Sequence, residues 1–351
     1  MYQKHGGIND QIINEYGKDI LDFSINVNPF GIPETVRRAI INAADHIEDY
    51  PDPECAQLRN VIAGYTDTVP DMILCGNGAS DLINRICRIF AKKMVILPVP
   101  SFSEYASKLA INGCRVTGYT LKEEDGFRIR EDILDLIDED ASLLILTEPN
   151  NPTGVLTPAE MKAQILKKCE ETGTMLFVDE SFIEFARDPE EGSMIRAAGS
   201  DNLVILRAFT KYYSLAGLRL GYIISHNADL ISSLRNIGSE WNVSLIAEKA
   251  GAAALGDRYW YDCRKGYIIS ERERLKKSLE EEGYITVPSE ADFLLFKGKP
   301  GLAEALLKEG ILIRDCSSFE GLGPGWYRTA VRSPEENDRL LDTEAIGEYG
   351  R

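Results

Sequence analysis

What this 351-residue chain has little of narrows its function first. Basic residues are in deficit, with 39 Lys and Arg against 56 Asp and Glu, for a net charge of −17. A surface of that sign repels a phosphate backbone, so nucleic acid is not expected as a partner. The seven cysteines (Cys55, Cys75, Cys87, Cys114, Cys169, Cys263 and Cys316) form no Cys-x-x-Cys pair and have no paired histidines beside them, so no metal site is expected. Scattered thiols of this kind are expected to be mostly buried, in a reducing cytosol. No apolar run approaches the roughly 18 residues a membrane span needs. Met1 to Gly7 lack the basic start and apolar stretch of a secretory signal. The expectation is a cytoplasmic protein without a membrane partner. There is also no internal repeat and no low-complexity segment.

What is present is a globular composition, 44% hydrophobic and 27% charged, in a chain long enough for about two domains at roughly 150 residues each. From Met94 to Phe209 short apolar runs alternate with amphipathic segments, as in strand–helix units on a parallel sheet. Strands are predicted at Met94–Pro98, Cys114–Thr120, Ser142–Thr147, Met175–Asp179 and Leu203–Phe209. Runs such as Leu143-Leu144-Ile145-Leu146 are apolar on both alternating faces, which predicts central strands covered by helices on each side. After about residue 230 a long charged helical stretch, Arg258–Gly283, precedes short strands near Phe293, Ile311 and Val331, the pattern of a smaller α+β domain. Breakers at Gly6-Gly7, Asn28-Pro29 and Gly31-Ile32-Pro33 suggest an extended N-terminal arm before the first helix. The division expected is an arm and start of the small domain over 1–40, a large domain over 41–235, and an interdomain helix with the small domain over 236–351.

In open α/β sheets, ligands sit beyond the carboxyl ends of the strands, so the residues following each apolar run are where chemistry is sought. Gly76-Asn77-Gly78-Ala79-Ser80-Asp81 precedes a helical pattern, and its glycines let backbone N–H groups close on an anion at a helix N-terminus. Alone, the segment reads as well as an ordinary helix cap. Asp81 stands where a dinucleotide fingerprint has its third glycine, and no Gly-Lys-Ser/Thr follows, which disfavours a nicotinamide dehydrogenase and a nucleotide triphosphatase. Pro149-Asn150-Asn151-Pro152-Thr153-Gly154 is either a plain turn or a loop holding the Asn151 amide as a donor suited to a phenolate oxygen. Asp179 emerges from the buried run Met175–Val178 and demands a partner, either the next helix's N-terminus or a protonated ring nitrogen. Lys211 follows the strand Leu203–Phe209. It is either a solvated surface charge or a desolvated amine able to form an imine, with Arg219 nearby as a permanent cation for a phosphate.

Together, in this order across nearly the whole chain, these motifs resemble the fold-type I superfamily of pyridoxal-phosphate enzymes, which includes the class I and II aminotransferases. The resemblance implies a large domain with a mostly parallel seven-stranded sheet between helices, and pyridoxal 5′-phosphate as cofactor. By the same likeness Lys211 forms the Schiff base, Asp179 pairs with the pyridine nitrogen and Asn151 binds the phenolate oxygen. Phe102 in Pro100-Ser101-Phe102 stacks on the ring. Gly78, the Ala79 and Ser80 amides, the Ser80 and Thr210 hydroxyls and Arg219 hold the phosphate. Tyr50, before Pro51-Asp52-Pro53, looks like the tyrosine that reaches a neighbouring subunit's phosphate, which implies a homodimer with shared active sites. Two residues depart from the pattern. Phe182 stands where many relatives have a tyrosine, and Ala208 where many have a phosphate-binding serine, so each removes a donor from the cofactor.

Within the superfamily the likeness is to two sister groups that act on phosphorylated amino compounds, the histidinol-phosphate aminotransferases and the threonine-phosphate decarboxylases of cobalamin synthesis. The stretches His5-Gly6-Gly7, Asp22–Pro29, Asp179–Ile183, Ile313–Cys316 and Tyr327–Ser333 resemble the decarboxylases. On that resemblance Arg314 and Arg328 clamp the carboxylate and phosphate of a small-molecule substrate, with His5 and Asn26 joining them from the N-terminal arm. Decarboxylation of threonine phosphate is the expectation, with amino transfer as the alternative. A non-catalytic binding module is disfavoured by the intact set of Lys211, Asp179 and Arg219.

Overall fold

The computed structural model describes residues 6–17 and 19–350. Its strands, in chain order, are β1 (Leu21–Asp22), β2 (Ile73–Gly76), β3 (Met94–Val99), β4 (Arg115–Thr120), β5 (Ala141–Thr147), β6 (Met175–Asp179), β7 (Leu203–Ala208), β8 (Gly221–Ile224), β9 (Ile285–Thr286), β10 (Phe293–Lys297), β11 (Ile311–Leu312), β12 (Arg314–Asp315) and β13 (Trp326–Ala330). All five predicted strands of the central series are present within a residue or so of their expected ends. The seven-stranded sheet runs β2-β8-β7-β6-β5-β3-β4, and β8 alone is antiparallel to its neighbours. The expected mostly parallel sheet is therefore observed.

Alternation along β5 shows why this sheet is buried on both faces. Leu143 and Ile145 pack with Phe177, Val204 and Leu206, while Leu144 and Leu146 pack with Leu176, Val178 and Ile205 on the opposite face. Each such side chain removed from water contributes about 1.5–3 kcal/mol, which makes a central strand apolar throughout rather than alternating.

At the carboxyl end of β6 the chain places two acids back to back. Asp179 turns one way, and Glu180 turns to the buried Arg207, whose Nε and Nη2 donate to Glu180 Oε2 at 3.0 and 2.9 Å. Arg207 Nη1 also donates to Glu184 at 3.1 Å, and Glu180 accepts from the Ser193 hydroxyl and the Met194 N–H. This network fixes the strand end that carries Asp179. Arg207→Met leaves Glu180 buried without its cation, and a loss of about 3–5 kcal/mol in urea-unfolding stability is expected. An unchanged denaturation midpoint would contradict that reading of the network.

The second sheet, β12-β13-β10-β9, is antiparallel and follows the long helix Arg258–Glu281. The N-terminal segment forms a separate two-stranded sheet, β1 parallel with β11, and meets the second sheet where Ala330 N–H donates to the Phe23 carbonyl at 2.8 Å. One expectation fails here: the segment before residue 30 is not extended throughout, because Asp10–Tyr16 is a helix. Asn9 caps it by accepting from the Ile12 N–H, Ile12 is buried beside Ile20 and Leu312, and Gly17 at φ +92° ends it. Gly6-Gly7 marks where the chain breaks before this helix, and the capping signal at Asn9 was the one overlooked. Among the described residues no helix is long and apolar enough to cross a membrane, and no cluster of side chains could hold a metal ion. All seven cysteines are free thiols and five are buried.

Candidate active site

The carboxyl ends of β3, β5, β6 and β7 open on a cavity of about 200 Å3. It is lined by Ala79, Ser80, Phe102, Asn151, Asp179, Phe182, Thr210, Lys211 and Arg219 among others. Residues from five separate stretches of sequence thus meet in one place. A wider cleft of about 820 Å3 lies between Tyr65 and Arg258, but its buried Arg207 and half-buried Glu184 are already paired with each other.

Asp179 is buried, and its oxygens accept from the Tyr105 hydroxyl at 2.6 Å, from the Ser181 N–H at 2.9 Å and from the Ser181 hydroxyl. Burial raises its carboxyl above the usual carboxylate range, while these donors act to lower it. No cation pairs with it among the described residues. On the far side Lys211 Nζ lies 5.6 Å from the Phe182 ring centroid. Burial pushes the Lys211 amine down to about 8. Asp292 opposes that shift, and Arg328 and Arg219 reinforce it. The backbone of this lysine is held by the N-terminal segment: Asn28 N–H donates to the Lys211 carbonyl, the Asn28 amide to the Tyr212 carbonyl, and the Ser214 hydroxyl to the Asn28 carbonyl.

The opposite end of the cavity is built for an anion. The helix Ala79–Ile89 presents its N-terminus there, with free N–H groups and the positive end of its dipole. Gly78 has φ +78°, and a Cβ on it would sit 2.8 Å from Arg219 Nη2, so only glycine lets the guanidinium approach this turn. Arg219 itself is left-handed at φ +57°, a conformation costing about 1–2 kcal/mol for a residue with a Cβ. Asp81, one turn into the helix, is neutralised by Arg85 and also accepts from Asn77 N–H and the Asn242 amide, so it does not oppose an anion. The Ser80 hydroxyl donates to Glu104 at 2.7 Å. Together, a nucleophilic amine, a buried acid and an anion cradle fit a cofactor bearing an aldehyde, a ring nitrogen and a phosphate.

A second concentration of positive charge adjoins the first. Arg314 and Arg328 face each other across the β12–β13 ladder, both buried. Like charges directly opposite weigh against a sheet, so the pair is notable there. Arg328 donates to Asn151 Oδ1 at 2.5 Å and to the Ser24 carbonyl at 2.8 Å, and its Nε has no partner among the described residues. The bond to Arg328 occupies Asn151 Oδ1 and leaves its amide nitrogen as the donor to the cavity. Two residues on from Ser24, Asn26 is buried, and its Oδ1 has no partner among the described residues. Arg314 lies over the Phe319 ring at 5.6 Å.

Most of the predicted residues therefore converge. Tyr50 does not: it is 82% exposed and packs against Trp241 at the surface. His5 lies outside the described residues. Phe182 and Ala208 are buried as apolar groups, so neither supplies a donor. Three residues were missed by reading the sequence: Tyr105, which bonds Asp179; Asn28, which holds the lysine loop; and Asp292, buried with neither carboxylate oxygen partnered among the described residues. For Asp292 a signal existed, because it abuts the apolar run Phe293–Phe296 much as Asp179 ends its own.

Fold and cavity together define a fold-type I pyridoxal-phosphate enzyme. The chain belongs to the class I and II aminotransferases, whose family description matches residues 18–343. It is 34% identical over 327 residues to a threonine-phosphate decarboxylase of Salmonella typhimurium, covering 92% of this chain and 89% of the relative. Among solved structures it is similar to the histidinol-phosphate aminotransferase from Clostridium acetobutylicum, with a TM-score of 0.87 and 32% identity over 93% of this chain and 98% of that one. It is also similar to the histidinol-phosphate aminotransferase from Sinorhizobium meliloti in complex with pyridoxal-5′-phosphate, with a TM-score of 0.87, 26% identity and coverage of 96% and 94%. Pyridoxal phosphate is the cofactor of this chain.

Proposed function

We propose that the protein decarboxylates L-threonine O-3-phosphate to an aminopropanol phosphate. The observation that carries the reading is the buried pair Arg314 and Arg328, together with Asn26, whose buried Oδ1 has no partner among the described residues. Two adjacent cations suit a compact substrate with two anionic groups, one a carboxylate and one a phosphate. The decarboxylase-like segments and the 34% identity to the Salmonella typhimurium enzyme support the same choice.

In this reading Lys211 holds the cofactor, Asp179 keeps its ring nitrogen charged, and the Asn151 amide donates to its phenolate oxygen. The ring then serves as an electron sink for the bond that breaks at Cα. Phe102 packs on the ring; Ala79, Ser80, Thr210 and Arg219 hold the phosphate. Arg328 orients the substrate carboxylate, Arg314 and Asn26 its phosphate, and Lys211 moves the proton at Cα. The exposed Tyr50 reaches the cofactor phosphate of a second copy, which makes the working unit a homodimer; sedimentation of the holoenzyme as a monomer would remove that part.

The second reading is amino transfer from histidinol phosphate, supported by the 32% identical structure of that enzyme from Clostridium acetobutylicum. Both substrates present a phosphate, so the deciding measurement is the product. Carbon dioxide and an aminopropanol phosphate formed from threonine phosphate, without any oxo acid added, are expected. Glutamate formed from 2-oxoglutarate and histidinol phosphate, with no carbon dioxide from threonine phosphate, would overturn the proposal.

A further inference from the structure

The helix Ser103–Ile111 begins directly after Phe102, and its first turn touches two residues that line the cavity. The Tyr105 hydroxyl donates to Asp179, and Glu104 Oε2 accepts from the Ser80 hydroxyl at 2.7 Å. Ser80 is the second residue of the helix Ala79–Ile89, whose N-terminus forms the anion cradle with Gly78 and Arg219. Two acids therefore flank this cradle. Asp81 is neutralised by Arg85, with Nη2 and Oδ2 2.8 Å apart. Glu104 is half-buried, and no lysine or arginine pairs with it among the described residues.

A serine hydroxyl carries one proton and can donate one hydrogen bond. An ionised carboxylate and a phosphate dianion are both acceptors only, so neither can return a proton to the Ser80 oxygen. The hydroxyl therefore serves Glu104 or a phosphate at this turn, never both at once. A hydrogen bond to a charged acceptor is among the stronger ones, so giving one up weighs against binding. The Glu104 carboxylate also repels a dianion held so close to it.

We infer that Glu104 sets how tightly the chain holds its cofactor, by competing with the cofactor phosphate for the single Ser80 proton. In the structure the hydroxyl is turned to Glu104, and a phosphate seated at the turn must draw it away. Binding then exchanges one charge-assisted hydrogen bond for another, so the net gain from Ser80 is small. Glu104 touches neither the substrate nor the reacting atoms; it is a positioning residue that acts through Ser80. The inference rests on the proposed placement of the cofactor phosphate at this helix N-terminus and is independent of which reaction follows.

The test is a double-mutant cycle on cofactor affinity. The full-length enzyme, freed of cofactor, is titrated at about pH 8, where a phosphate is a dianion. The probes are pyridoxal 5′-phosphate and, separately, pyridoxal, which lacks the phosphate, and Kd is read from quenching of the protein's fluorescence. Wild type, Glu104→Ala, Ser80→Ala and the double variant are compared. E104A is expected to bind pyridoxal 5′-phosphate about tenfold more tightly than wild type. In the S80A background the same change should move Kd by no more than about twofold, because the contested proton is gone. Pyridoxal should bind all four alike. Glu104→Gln keeps the side chain's shape and loses its charge, and should fall between wild type and E104A. Equal tightening in both backgrounds would mean that the acid acts by charge alone, and would overturn the inference. So would an E104A protein that binds no more tightly than wild type, or a gain for pyridoxal as large as that for its phosphate. Arg219→Ala tests the placement itself: it should weaken pyridoxal 5′-phosphate and leave pyridoxal unchanged. With that result, a flat cycle removes the inference alone. An R219A protein that binds both probes as wild type does overturns the placement of the phosphate and this inference with it.

Discussion

Lys211→Ala is expected to abolish turnover of the holoenzyme. Removing proton transfer alone costs roughly 10²–10⁴-fold, and loss of the covalent attachment of the cofactor adds to that. Three features of the structure favour this lysine for the role. Lys211 lines the cavity, burial lowers its amine to about 8, and the 211–214 stretch is tied to Asn28 by one backbone hydrogen bond, to the Lys211 carbonyl, and two side-chain ones. An ordinary lysine, titrating near 10.4, is overwhelmingly ammonium at neutral pH. One near 8 presents roughly a tenth of its molecules as free amine at pH 7, enough to attack an aldehyde. Borohydride reduction followed by peptide mapping should find the cofactor on the Lys211 peptide. An adduct elsewhere, or a K211A enzyme with wild-type turnover, would be incompatible with the site as described.

Arg328→Ala is the second large effect. The side chain holds three things at once: Asn151, the Ser24 carbonyl and, in the proposed function, a substrate carboxylate. Truncating one partner of a buried charge-assisted contact costs about 2–5 kcal/mol, so kcat/KM should fall by roughly 30-fold to several thousandfold. Lysine should not rescue it, because a point charge cannot reproduce the planar fork that reaches two acceptors on different elements. Since Asn151 lines the cofactor cavity, the absorbance of bound cofactor should shift in R328A even without substrate. An R328A enzyme with normal kcat/KM and an unchanged spectrum would remove Arg328 from the substrate site.

How legible was this site in the sequence? Strand ends were the readable part, since runs such as Leu143–Leu146 and Leu203–Leu206 are apolar on both faces and announce where a parallel sheet stops. Lys211, Asp179 and Asn151 stand directly after such runs, and the structure brings all three to one cavity. The antiparallel β8 was not anticipated, because the four residues Gly221–Ile224 carry too short a pattern to reveal direction. Tyr105 and Asn28 were illegible for a different reason. Each acts through a partner distant in sequence, Asp179 lying 74 residues from Tyr105 and Tyr212 184 residues from Asn28. Only folding creates these neighbours, and hydrophobic period says nothing about which polar side chains will meet. The helix Asp10–Tyr16 was hidden because glycines before it and Asn28-Pro29 after it drew attention to breaks rather than to the cap at Asn9.

The parallel pairing of β1 with β11, and the bond from Arg328 back to Ser24 across 304 residues, bear on how the enzyme is made. Ribosomes add about 5–20 residues per second, so the first part of the substrate wall waits roughly 15–60 s for the last. Until then residues 21–28 have no sheet edge to join, and the half-made chain exposes the backbone groups of β1. Nascent copies therefore pass through a stage in which the central sheet can close while the wall that carries Ser24 and Arg328 is still missing one side. A cell that makes this protein quickly should depend on chaperones at that stage, and truncations near either terminus should abolish the same pocket.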